Sequence, residues 1–108
     1  MIIPDSHVEH ALKILQSGDH SRARGAYEWS EKQLKTVLAQ EVLKSALKTV
    51  SERENEALAS VAYVEALDAF KEIATAYFAA RDRREAADAV LRTWQTASAD
   101  NRAQGRIT

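Results

Sequence analysis

Tyr63, Leu67, Phe70, Ala74 and Tyr77 recur at alternating steps of four and three, the spacing that gathers side chains on one stripe of an α-helix. No Gly or Pro interrupts residues 60–99, so the pattern predicts one long, Ala-rich helix there. The next places on the stripe fall at Arg81 and Arg84, both charged, and apolar residues resume at Ala87, Leu91 and Trp94. Such a change predicts a phase shift of about three residues, as a stammer produces.

Upstream, Val8, Ala11, Leu12 and Leu15 form the apolar face of a short helix over about 6–17. Ser6 and Glu9 read as its capping box, and Gly18 as the C′ residue that ends it. A second helix is predicted over about 20–58, capped by Asp19 or Ser21. Its first apolar row includes Tyr27, Leu34, Leu38 and Val42, and an adjacent row holds Ala39, Leu43, Leu47 and Val50. Two rows side by side are more than one coiled-coil seam covers.

The joint between the second and third helices is less sharply marked. Residues 51–56 are polar but contain no obligatory breaker, and Ser60 is the best available N-cap. A turn at Ala59-Ser60 gives two helices of about forty residues and an antiparallel αα-hairpin; without it, one helix of about eighty residues results. A polar tail, 100–108, is expected to fray. The reading is an all-α single domain of 108 residues.

Composition narrows the function classes. A formal net charge of −1 sets up no global attraction to nucleic acid or membrane. Cysteine is absent, which removes disulfides, thiolate ligands and a Cys nucleophile together. No apolar run is long enough to span a bilayer, and the start, Met1 to Asp5, lacks the basic and apolar regions of a signal peptide. The expectation is a cytoplasmic protein without membrane contact.

Candidate chemistry is sparse. His7 and His10 lie three apart, but their spacing is one residue short of a metalloprotease motif and no second ligand cluster completes a metal site. No nucleophile elbow or Gly-rich phosphate loop is present. The chain is therefore expected to be no enzyme and to need no cofactor. Arg81, Arg83, Arg84 and Arg92, with Arg102 in the tail, form a candidate contact set for phosphates or a partner. Asp82, Glu85 and Asp88 interleave with them, which favours ion pairing over a phosphate patch. Trp29 lies off the face of Tyr27, suggesting contact with the first helix or another subunit. Trp94 falls on the resumed apolar row and is expected to pack.

Ala59-Ser60-Val61-Ala62-Tyr63, the Arg81 to Ala87 stretch, Trp94-Gln95-Thr96 and Asn101-Arg102-Ala103-Gln104-Gly105-Arg106 together resemble a family of small helical proteins of tailed phages and prophages. The resemblance covers about half the chain and includes no catalytic signature. Family members often carry an Ala-His-Pro-Asp-Tyr-like segment where this chain has Ala59 to Tyr63, with Val61 in place of the Pro. The family's genes tend to lie near phage single-strand annealing and exonuclease genes. Membership would imply an accessory of DNA recombination or replication.

From the residues and the resemblance together, the leading expectation is a non-enzymatic helical protein that assembles with itself and contacts a protein of phage DNA metabolism. The paired rows on helix two, built on Leu34, Leu38, Val42, Leu43 and Leu47, predict a two-fold dimer, two hairpins sharing a four-helix core. Leu67, Phe70, Tyr77, Leu91 and Trp94 would supply the facing stripe. Two alternatives stay open: direct nucleic-acid binding through the arginines, and inhibition of a host protein by a phage product.

Overall fold

The computed structural model describes residues 3–107 of the chain. Among them there is no strand, and four α-helices follow one another: α1, Asp5–Gln16; α2, Asp19–Lys44; α3, Val50–Leu58; and α4, Val61–Ile107. The all-α expectation holds. None of the described helices is long and apolar enough to cross a membrane.

Two compact units emerge from the chain's own contacts. One comprises the chain up to Ser21 together with the chain from Ala79 on; the other is Arg22–Phe78. In the second unit, α2 and α4 fold back on each other through α3: Tyr27 of α2 stacks on Tyr77 of α4, with ring centroids 4.8 Å apart, and also meets Phe70 and Phe78. Ser30, one turn on from Tyr27, and Ala57 of α3 are buried, and such small side chains let helices approach closely. In the first unit, burial falls on Val8 and Ala11 of α1 and on Ala80 and Ala87 of α4. No large side chain is fully buried among the described residues.

Several helix boundaries depart from the sequence reading, each for a local reason. α1 begins at Asp5, with Pro4 as N-cap and no side-chain cap bond. The Pro4 carbonyl accepts from the amides of His7 and Val8 at 3.0 and 3.3 Å. Ser6 thus lies inside the helix, where it cannot act as the predicted cap. At the other end Ser17 is extended and its hydroxyl donates to the Ile14 carbonyl at 2.8 Å. No described glycine has a positive φ, so Gly18 does not make the left-handed stop expected of it.

The predicted helix over 20–58 is interrupted at residues 45–49. Thr49 is extended and its hydroxyl accepts from the Glu52 amide at 3.2 Å, capping α3. Ser45 Oγ donates to Glu56 at 2.6 Å, and Arg53 Nε donates to the Leu47 carbonyl at 2.6 Å. The Arg53 bond satisfies the Leu47 carbonyl, and Ser45 Oγ also accepts from the Leu47 amide at 3.3 Å, so both backbone groups of Leu47 find partners in the break. Thr49-Val50-Ser51-Glu52 has the S/T-x-x-E form of a capping box, a signal passed over in favour of the polar stretch that follows it.

Ser60 caps as expected: its hydroxyl accepts from the Tyr63 amide at 3.2 Å and donates to the Ala57 carbonyl at 2.7 Å. The turn at Ala59-Ser60 therefore forms, and the single eighty-residue helix does not. From Val61, α4 runs unbroken for 47 residues. The tail expected to fray from 100 is helical to Ile107; no Pro or left-handed Gly stops it earlier. Thr108, its last residue, lies outside the described residues.

No stammer is needed in α4 either. Ala66, Ile73, Ala80, Ala87 and Trp94 are seven apart, as are Tyr63, Phe70, Tyr77, Arg84 and Leu91. Burial follows these rows through the Arg81–Arg84 segment, with Ala80 and Ala87 buried on either side of it. The heptad phase is continuous, and Arg84 simply occupies one position in it.

Candidate interaction surface

Two surfaces are candidates for contact, one polar and one apolar. α4 displays Arg81, Arg83 and Arg84 within little more than one turn, all exposed. Arg81, and further along α4 Arg92 and Arg102, answer to groups on the same helix. Arg81 lies 3.6 Å from Asp82 and 3.9 Å from Glu85, Arg92 pairs with Asp88, and Arg102 Nε reaches the Ser98 carbonyl at 3.4 Å. Arg84 departs from this pattern: its Nη1 stands 3.4 Å from Nδ1 of His20, at the start of α2. Leu15, His20, Arg81, Arg84, Glu85 and Asp88 line a shallow recess there. Exposed pairs of this kind contribute about 0–1 kcal/mol each, and their acids cancel much of the local positive field.

The second surface lies wholly within residues 22–78. Lys35, Leu38, Val42 and Leu43 of α2 and Glu54 and Leu58 of α3 line an open groove. It exists because the two predicted rows on α2 meet different surroundings. Leu34, Leu38 and Val42 are half-buried, whereas Leu43 is 85% exposed, and Leu47 is exposed as well. Val50, the first residue of α3, is 67% exposed, and Val61, the first residue of α4, 73%. Single apolar residues scattered over a surface are ordinary; several within residues 43–61 make that stretch a candidate contact face.

The remaining site residues divide between cover and exposure. Leu67, Phe70, Tyr77 and Leu91 are half-buried, in line with the predicted stripe. Trp29 is 62% exposed, and Trp94 keeps 39% of its surface exposed although it lies on a packed heptad row. His7 and His10 are exposed, and no group of metal-ligating side chains occurs among the described residues.

Sequence reasoning named Leu38, Val42 and Leu43 but missed the other wall. Leu58 and Glu54 become partners of α2 only because the chain turns at 45–49, and the Thr49 capping box was the signal for that turn.

The chain matches no protein-family profile, no curated protein and no solved structure. None of these comparisons links it to a phage family.

Proposed function

We propose that this protein is a non-enzymatic helical assembly module that associates with itself and acts through protein–protein contact. One observation carries the reading: Leu43, Leu47, Val50, Leu58 and Val61 are all exposed on one stretch of the chain, while no large side chain is fully buried among the described residues. Full burial of one Val or Leu side chain contributes about 1.5–3 kcal/mol, so association offers this stretch a gain that the single chain leaves unused. An accessory role in phage DNA recombination or replication rests on the resemblance of residues 59–106 alone. The arginines of α4 support direct nucleic-acid binding less well, since Asp82, Glu85 and Asp88 stand among them and pair with two of them.

Sedimentation velocity across micromolar concentrations tests the association. The expected result is a mass of at least twice 12.0 kDa. A mass that stays at 12.0 kDa at every concentration, with a cooperative melt, overturns it.

A further inference from the structure

We infer that the groove between α2 and α3 is the seat of a second copy of this chain, bound about a two-fold axis that runs along the groove. The inference rests on the self-association proposed above and specifies where it happens. The groove has an apolar lining of Leu38, Val42, Leu43 and Leu58, and each wall carries one charge: Lys35 on α2 and Glu54 on α3. Neither charge is in an ion pair among the described residues.

Opposite charges on opposite walls decide the occupant. A two-fold axis along the groove lays the α2 wall of one copy over the α3 wall of the other. Lys35 then lies over the wall that carries Glu54 in the second copy, and Glu54 over the wall that carries its Lys35. Both charges are answered by one interface, and the same symmetry brings the two Leu43 side chains, each largely exposed in the single chain, over the opposing apolar lining. A partner helix charged with one sign would answer one wall and repel the other.

Charge reversal and one knob substitution in the full chain test the arrangement by sedimentation velocity, with helicity followed by circular dichroism. Leu43→Glu is expected to return the protein to 12.0 kDa with unchanged helicity, because the side chain is exposed in the single chain. Lys35→Glu is expected to weaken the dimer by about tenfold or more in dissociation constant, by setting like charges across the interface. Lys35→Glu combined with Glu54→Lys restores opposite signs and is expected to recover the wild-type affinity. If Leu43→Glu associates like the wild type, the groove is not the seat, although self-association stands. If the double variant is no tighter than Lys35→Glu alone, the crosswise pairing is wrong. A wild-type chain that is monomeric throughout overturns the groove and the self-association together.

Discussion

Tyr27 and Leu43 lie on the same helix, and both belong to apolar rows that the sequence offers for packing. Tyr27 is half-buried, its ring stacked on Tyr77 and in contact with Phe70 and Phe78. Leu43 is largely exposed beside a groove that α3 only partly walls. The difference lies in what faces each residue. Around Tyr27, rings from two helices reach across the gap and cover one another, and each ring pair adds about 0.5–1.5 kcal/mol beyond its area. Around Leu43, the facing element is a helix of nine residues, too short to cover two rows. Hydrophobicity sets which residues can pack; the reach and length of the opposing element set which ones do.

The aromatic end should therefore be the more sensitive to truncation. Phe70→Ala is expected to cost about 2–3 kcal/mol, less than the 3–5 of a fully buried ring because Phe70 is half-buried. The exposed neighbour Lys71→Ala should cost under about 0.5 kcal/mol. Urea denaturation of the two variants decides it, and equal midpoints would mean that the rings contribute little. At the open end the sensitive position is a cap. Thr49→Ala removes the acceptor of the Glu52 amide and is expected to cost about 1 kcal/mol, with a small loss of helicity as α3 frays. Should stability and helicity both be unchanged, α3 does not depend on its cap. The last effect returns to the aromatic end and has the opposite sign. Gly25 is helical and a Cβ added there meets nothing within 4 Å. Gly25→Ala is expected to stabilise by about 0.5–1 kcal/mol; a loss of stability would place a neighbour against that face.

Much of the local architecture was legible in the chain. The stripe from Tyr63 to Tyr77 and the Ser60 cap located the start and the inner face of α4. The α2 rows identified the residues that border the groove on one side. What escaped was of two kinds. The break at 45–49 was signalled by Thr49-x-x-Glu52, but a run of acidic and polar residues after it drew the boundary downstream. The continuity of α4 through Arg84 was obscured because a charged residue on an apolar row reads as the end of the row. Here the row continues, with His20 beside the guanidinium.

By itself, then, the sequence determined that this protein is helical nearly throughout, where α4 starts, and which residues could pack. Those properties are local: helical spacing, the scarcity of Gly and Pro, and a hydroxyl three residues ahead of an amide act within a turn or two of chain. Only the tertiary structure decided which of the two predicted apolar rows is covered, that Arg84 lies beside His20, and that Glu54 and Leu58 stand opposite Lys35 and Leu43. Each of these depends on residues far apart in the chain, brought together by the turns at 45–49 and 59–60. No local pattern encodes which side chain the opposing helix will present.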